Sequence, residues 1–156
     1  QVHYHNRNRL SERIEENLEA TFWESLDQML ARIDFLSINA PHTPSTYHLI
    51  NARRLKLMKK TSYIINTARG GLIDLNTLKE GLQSGVIAGA GLDVFDSEPP
   101  DQNMILNEFR QVILTPHQAG LSAESAKRMS LKSVQNIIDF FNGNLDSKLV
   151  VNGITL

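Results

Sequence analysis

The sequence predicts an α/β protein built on a doubly wound parallel sheet. Short apolar runs alternate with longer segments of helical periodicity along most of the 156 residues. Several of these runs are continuously apolar, as in strands that helices cover on both faces. Hydrophobic residues make up 41% and charged residues 21% of the chain, which is the balance of an ordinary globular domain.

Six segments are candidate strands, and three of them lie in the apolar stretches SYIINTA, IAGAGLDV and QVILTP. Helical segments separate them, so consecutive strands are expected to run parallel. The candidate strands are Val2–His5, Ala20–Trp23, Phe35–Asn39, Tyr63–Thr67, Ile87–Val94 and Val112–Thr115.

Helical spacing of apolar residues predicts four helices. A short helix ends at Leu30, and the segments ARRLKLMKK and LNTLKEGLQ form two more, the second of which stops at Gly85. The longest helix runs from about Ala123 to Asn142 and ends at Gly143. The side chains that could cap their amino ends are Ser25, Asn51, Asp74 and Ser122.

Composition excludes several classes of function. The net charge of -1 provides no basic surface that would attract nucleic acid or an anionic membrane. No apolar run is long enough to span a membrane, and the opening QVHYHNRNRL resembles no signal peptide. The absence of cysteine excludes thiol chemistry and fits a cytoplasmic protein. Because the chain opens without Met and within a candidate strand, we expect it to be a piece of a longer protein, called here the full-length protein.

Three polar residues follow three of the candidate strands. Arg69 follows SYIINTA, Glu98 lies in the loop after IAGAGLDV, and His117 follows QVILTP. Ligands bind beyond the carboxyl ends of the strands in an open parallel sheet, so these side chains are expected to converge on one edge. Each also has a simpler interpretation: a surface ion pair for Arg69, a solvated loop for Glu98, and a helix cap for His117.

An arginine, a carboxylate and an imidazole together suit hydride transfer next to a carboxylate. An arginine can bind a substrate carboxylate through two parallel hydrogen bonds and polarise the adjacent carbonyl. A histidine can give a proton to that carbonyl oxygen as hydride arrives, and take it back in the reverse direction. A carboxylate bound to the imidazole stabilises its protonated form and fixes its orientation. A cofactor would carry the hydride.

Three segments around these residues carry a family resemblance: Asn66–Asp74 (NTARGGLID), Gly89–Pro99 (GAGLDVFDSEP) and Thr115–Gly120 (TPHQAG). They resemble the signature segments of the D-isomer-specific 2-hydroxyacid dehydrogenases. Residues Asp34–Thr46 resemble the strand and loop that lead to the nicotinamide in that family. The resemblance covers roughly Val2 to Asn152 and implies a Rossmann-like sheet that lacks its first strand–helix unit.

The resemblance implies that the full-length protein is an oxidoreductase acting on small 2-keto or 2-hydroxy acids, such as glyoxylate or hydroxypyruvate, and a homodimer. Arg69 would bind the substrate, His117 would be the acid–base group, and Glu98 its partner. Arg69 and His117 would also contact the cofactor, with Pro41, Thr67, Ala68 and Asp93. Residues 1–142 would form a partial dinucleotide-binding domain, and residues 143–156 a tail that returns toward the absent substrate domain.

Other polar residues have simpler interpretations. Asp93 could be a strand-end cap instead of a cofactor contact, and Asp74 is better interpreted as a helix cap than as a catalytic group. His42 and His48 flank a loop rich in Pro and Thr and are expected at the surface. His3 and His5 have a spacing that could suit a metal, but no third ligand is evident, so we predict no metal site.

The turn after the first candidate strand bears on the choice of cofactor. A strand-end acid there selects NAD by binding the ribose hydroxyls, but Asn6-Arg7-Asn8-Arg9 follows VHYH instead. Arg7 could pair with a 2′-phosphate, and Asn6 could add a neutral hydrogen bond. The stretch is similar to NADPH-preferring glyoxylate/hydroxypyruvate reductases of the same family. We therefore expect NADP, with NAD as the alternative, although a merely basic exposed turn is also compatible with these residues.

The glycine loop that seats a pyrophosphate is absent from this chain. Gly89-Ala-Gly91 imitates its first half but lies inside a candidate strand, so it is not assigned that role. We expect these residues alone to be inactive, because the phosphate grip and the wall that closes over the substrate are missing.

Three other functions share this fold. One is a corepressor-like protein that senses the cofactor and binds partner peptides, which the Arg–Glu–His set does not exclude. A formate dehydrogenase would pair the histidine with a glutamine, so Glu98 argues against it. A phosphoglycerate dehydrogenase is often extended by a regulatory domain. This chain ends soon after its last long helix, which disfavours the extended form of that enzyme but not the short form.

Overall fold

The structure is a computed structural model that describes residues 1–101 and 105–151. Its six strands form two parallel sheets, a two-stranded sheet of β1 and β2 and a four-stranded sheet in the order β3-β4-β5-β6. All six predicted strands are present, although β5 is shorter than its apolar run. The strands are β1 Val2–Tyr4, β2 Ala20–Phe22, β3 Phe35–Ile38, β4 Tyr63–Asn66, β5 Gly89–Leu92 and β6 Val112–Leu114.

The parallel α/β class is confirmed, but the described strands do not form one continuous sheet. No hydrogen bonds join β1 to β3, and the facing segments line a cavity between the two sheets. In a doubly wound sheet of this type, the first strand lies between the second strand and the fourth. The gap therefore matches the place of the predicted missing strand–helix unit, which itself stays a prediction.

In the described part of the chain, five α-helices connect or follow the strands: α1 Glu12–Leu18, α2 Leu26–Leu30, α3 Ala52–Leu55, α4 Leu75–Gln83 and α5 Ala123–Phe141. The four predicted capping side chains all accept hydrogen bonds from backbone N–H groups at the amino ends of their helices. Helix α3 ends at Leu55, short of the predicted segment. Gly85 and Gly143 follow α4 and α5 with positive φ values of 66° and 70°, as residues that end helices often do.

Helix α1 was not predicted from the sequence. Ser11 precedes it without forming a side-chain cap, and the apolar residues Ile14 and Leu18 are exposed. Its segment is mostly charged and polar, so the apolar periodicity that indicated the other helices is weak here. Only Glu15 is buried in this helix, and the helix is therefore anchored by a carboxylate.

The core of residues 1–117 packs α2, α3 and α4 against the four-stranded sheet. Its side chains come from helices, strands and the segments between them, which is the layered arrangement of an α/β domain. The fully buried large apolar residues are Leu30, Ile50, Ile64, Leu72, Leu78, Ile87 and Leu106. This core holds the carboxyl ends of β4, β5 and β6 in fixed register.

A second compact unit begins at Gln118. It contains α5, where Ser122 and Ser125 form a reciprocal capping box, and a short 3₁₀ helix at Ser147–Leu149. None of the α5 residues is buried. The domain limits predicted from the sequence, 1–142 and 143–156, stay a prediction, and residues 152–156 of that tail lie outside the described residues. Within the described chain, no helix combines the length and apolarity needed to cross a membrane.

Candidate active site

The turn that carries Arg69 is stabilised by hydrogen bonds from a buried side chain. Asn66, the last residue of β4, is 1% exposed. Its Nδ2 group donates to the Arg69 carbonyl at 2.9 Å, and its Oδ1 accepts from the Ala68 N–H at 3.0 Å. A buried amide that pairs both of its polar ends fixes the backbone around it. Asn66 therefore sets the direction in which the chain leaves the sheet and presents the exposed Arg69.

Two glycines after Arg69 allow other segments to approach closely. A Cβ atom on Gly70 would lie 2.2 Å from the carbonyl carbon of Phe95, and one on Gly71 would lie 2.7 Å from Nε2 of His42. Any side chain at these positions would push those segments away. The Gly-Gly pair thus brings the turn at Arg69 against the loop that contains Glu98.

Glu98 and His117 form a direct pair. Nδ1 of His117 donates to Oε2 of Glu98 at 2.6 Å, and Oε1 accepts from the Phe95 N–H at 3.1 Å. The hydrogen bond from His117, followed by the one from Phe95, lowers the pKa of Glu98 below its usual value. His117 has a φ of 52°, in the left-handed region that is uncommon for residues other than glycine. With Nδ1 occupied by Glu98, Nε2 is the ring atom left for a substrate.

Arg69, Glu98 and His117 line one cavity of about 370 Å³ with His42, Phe95 and Asp96. The predicted convergence of the three side chains on one edge of the sheet is therefore observed, while their catalytic roles stay predictions. His42 is exposed as expected, but its place in this lining was not predicted. The only sequence signal for it was its position after Pro41, in the segment that resembles the family's loop near the nicotinamide.

Asp93 directly follows β5 and contacts the ends of both neighbouring strands. It is 3% exposed, and its carboxylate accepts from the Thr115 hydroxyl at 2.5 Å. Its N–H donates to the Asn66 carbonyl at 3.0 Å. These contacts join the carboxyl ends of β4, β5 and β6, as a strand-end cap would. Thr67 and Ala68 lie in the turn before Arg69 and do not line either cavity.

A larger cavity of about 640 Å³ lies between β1 and β3. It is lined by Asn6, Arg7 and Pro41, three residues predicted at the cofactor, and its volume is in the range of ligand sites. Asn6 Oδ1 accepts from the Arg7 N–H at 2.9 Å, which leaves the Asn6 amide N–H groups as donors. The Arg7 guanidinium pairs with no side chain in residues 1–101 or 105–151. These donors suit the phosphate of a nucleotide cofactor.

His3 and His5 both contact one tryptophan on the neighbouring strand segment. Trp23 Nε1–H donates to Nδ1 of His3 at 3.1 Å, and Nδ1 of His5 donates to the Trp23 carbonyl at 2.9 Å. The two histidines, which are two residues apart, therefore both form hydrogen bonds with Trp23. Among the described residues, no group of three or more potential metal ligands is found.

A parallel α/β domain with a cavity of ligand-site volume and an Arg–Glu–His cluster at its carboxyl edge fits the nucleotide-binding domain of a dehydrogenase. The comparisons with known proteins agree. Residues 1–119 match the family described as "D-isomer specific 2-hydroxyacid dehydrogenase, NAD binding domain". The chain therefore belongs to the D-isomer specific 2-hydroxyacid dehydrogenase family.

Three similar proteins illustrate the relationship. A glyoxylate reductase from Aeropyrum pernix is 42% identical over 147 residues, which are 94% of this chain and 43% of the relative. A glyoxylate reductase structure from Paecilomyes thermophila has a TM-score of 0.79 at 38% identity, covering 88% of this chain and 41% of that one. A Granulicella formate dehydrogenase structure has a TM-score of 0.90 at 30% identity, covering 99% of this chain and 42% of that one. The chain thus spans less than half the length of these relatives.

Proposed function

We propose that the full-length protein is an NAD(P)-dependent D-2-hydroxyacid dehydrogenase that interconverts small 2-keto and 2-hydroxy acids, with glyoxylate or hydroxypyruvate as substrate. The observation that carries this proposal is the 2.6 Å hydrogen bond between His117 and Glu98, in a cavity that Arg69 also lines. Family membership supports the reaction class, and the names of the glyoxylate reductase relatives support the substrate.

Each of the three side chains has one task in this reaction. Arg69 binds the substrate carboxylate through paired hydrogen bonds and polarises the adjacent carbonyl. Nε2 of protonated His117 gives its proton to the carbonyl oxygen, and in the oxidative direction it takes that proton back. Glu98 holds Nδ1, which fixes the ring and stabilises its positive charge. A nicotinamide cofactor, when bound, would supply or accept the hydride at the carbon that carries this oxygen.

For the cofactor we propose NADP, with NAD as the alternative. Arg7, which pairs with no side chain among the described residues, lines the larger cavity at the end of β1, where an acid would select NAD. Pro41 lines the same cavity and follows β3 at the carboxyl edge of the four-stranded sheet, the edge that also carries Arg69 and His117. Asn6 would add an amide donor to the phosphate. The proposals of a homodimer and of a cytoplasmic location rest on the resemblance and the composition alone.

Steady-state kinetics on the full-length protein test the proposal. Glyoxylate, hydroxypyruvate, pyruvate and formate are offered with each cofactor in its matching redox state. Reduction of glyoxylate or hydroxypyruvate, faster with NADPH than with NADH, is the expected result. Tight cofactor binding without turnover of any 2-keto acid would contradict it and favour the corepressor-like alternative. Oxidation of formate would favour a formate dehydrogenase, although Glu98 occupies the place where such an enzyme is expected to have glutamine.

A further inference from the structure

Glu15 is a buried carboxylate that the proposed reaction does not use. It lies in α1 with 8% of its surface exposed and forms a bidentate pair with Arg9. Arg9 Nε donates to Oε1 at 2.9 Å, and Arg9 Nη2 donates to Oε2 at 2.7 Å. These bonds, followed by one from Tyr4, lower the pKa of Glu15 to about 2. A buried carboxylate is kept charged in this way only by close partners.

Tyr4 connects the same carboxylate to the backbone of the loop. Its hydroxyl donates to Oε1 of Glu15 and accepts from the Leu10 N–H at 2.9 Å. Tyr4 is the last residue of β1, whereas Leu10 lies at the far end of the loop before α1. The loop of residues 5–10 is therefore held at both ends by one network of Tyr4, Arg9 and Glu15.

The network separates the two arginines of this loop. Arg9 is engaged by Glu15, and its Cζ atom also lies 5.8 Å from the centre of the Phe22 ring. Arg7, at the middle of the loop, has no side-chain partner among the described residues and lines the larger cavity. An arginine whose charge is already paired offers little to a second anion, so Arg7 is the cation left for a phosphate in this cavity.

We propose that Tyr4, Arg9 and Glu15 are positioning residues that hold the loop so that Arg7 meets the 2′-phosphate of NADP. They act through Arg7. Arg9 and Glu15 line neither cavity. Tyr4 lines the larger cavity, but its hydroxyl is bound to Glu15 and to the Leu10 N–H. The inference rests on the proposed NADP preference, which concerns Arg7 alone. It adds that this preference depends on a buried carboxylate on the neighbouring helix.

Binding of two small nucleotides to the full-length protein tests this role without relying on turnover. Isothermal titration calorimetry compares adenosine 2′,5′-bisphosphate with 5′-AMP, which lacks only the discriminating 2′-phosphate. The variants are Tyr4→Phe, which keeps the ring beside Phe22, and Glu15→Gln. Glu16→Gln is the matched control, because Glu16 is exposed on the same helix. Thermal unfolding followed by circular dichroism shows which variants are folded, and Tyr4→Phe decides the outcome if Glu15→Gln is not.

We expect the wild type to bind adenosine 2′,5′-bisphosphate more tightly than 5′-AMP. In Tyr4→Phe and Glu15→Gln, binding of the bisphosphate should weaken by about tenfold, as for one misplaced charge-assisted hydrogen bond, while binding of 5′-AMP stays unchanged. Equal weakening of both nucleotides would overturn the inference, since it would indicate a general structural role. Unchanged binding would also overturn it.

Tighter binding of the bisphosphate by Glu15→Gln would overturn the inference in another way, because a released Arg9 would then be acting as a phosphate ligand. A wild type that prefers neither nucleotide would overturn the NADP preference, and with it this inference. A wild type that prefers the bisphosphate, with variants that keep the preference, would overturn the inference alone. The two proposals therefore fail in distinguishable ways.

Discussion

The two cavities differ in how completely this chain builds them. The smaller cavity is formed by four loops at the carboxyl edge of one sheet, where Asn66 holds the turn at Arg69 and Glu98 is bonded to His117. The larger cavity lies between two sheets that no hydrogen bonds join within the described residues. Arg69, Glu98 and His117 are thus positioned by contacts within the chain, whereas the larger cavity, which we propose for the cofactor, is lined by segments of two separate sheets. Changes at the first should affect chemistry, and changes at the second should affect cofactor choice.

The largest expected effect is a complete loss of activity in the isolated 156-residue chain. Without a phosphate loop between β1 and β3, the cofactor would not be held against the catalytic edge. The measurement is turnover of glyoxylate or hydroxypyruvate with NADPH, by this chain and by the full-length protein side by side. Circular dichroism verifies that the isolated chain is folded. Turnover by the isolated chain would show that the larger cavity is already sufficient.

Replacement of Arg69 by lysine should reduce kcat/KM for the keto acid by about 10²-fold, because a lysine keeps the charge but loses the paired donors. Most of the change should be in KM for the keto acid, with KM for the cofactor near that of the wild type. Arg32→Lys, at an exposed position outside both cavities, is the control. Equal kinetics of Arg69→Lys and the control would remove Arg69 from the substrate site.

Replacement of Arg7 by glutamine should lower the preference for NADPH over NADH by about tenfold, because one charge-assisted contact to the phosphate is lost. The kcat at saturating NADH should stay unchanged, since Arg7 lines only the larger cavity. Arg13→Gln, which removes an exposed arginine from α1, provides the comparison. If the ratio of the two cofactors changes equally in both variants, the effect is one of net charge alone.

The smallest expected effect is on stability in acid. The pKa of Glu15 in the folded protein is about 2, below its usual 4.5, so its contribution is present above the usual value and is lost as the pH falls toward about 2. In this window the unfolded chain binds more protons, and the stability of the wild type falls with pH. Glu15→Gln should flatten that fall in thermal unfolding midpoints. Glu16→Gln, the control, should show the same dependence of the unfolding midpoint on pH as the wild type. The same dependence in Glu15→Gln would contradict a stabilising role for the Glu15 network.

Periodicity and capping chemistry were sufficient to predict most of the fold. Four helix caps and six parallel strands could be predicted from local signals. A capping side chain bonds a backbone N–H group two or three residues further along, and a strand is indicated by a short apolar run. Helix α1 was missed because its burial rests on the single charged residue Glu15, for which hydrophobic periodicity gives no signal. The division into two sheets was missed as well, because strand pairing depends on segments far apart in the chain.

The candidate site was predictable to a similar degree. Arg69, Glu98 and His117 could be placed together because parallel strands end at one edge. The bracing by Asn66 and the position of His42 could not, since both depend on how closely loops approach one another. The Gly70–Gly71 pair was the available signal: glycines directly after a strand indicate that another segment packs against the backbone there.

The role of His117 as the proton donor is tested most directly by kinetics of His117→Asn in the full-length protein. With glyoxylate and NADPH, kcat/KM should fall by about 10³-fold, within the range that acid–base catalysis contributes. The dissociation constant of NADPH, measured by the quenching of protein fluorescence, should stay near that of the wild type. Activity within a few-fold of the wild type would contradict the assignment of His117, and with it the proposed reaction at this edge of the sheet.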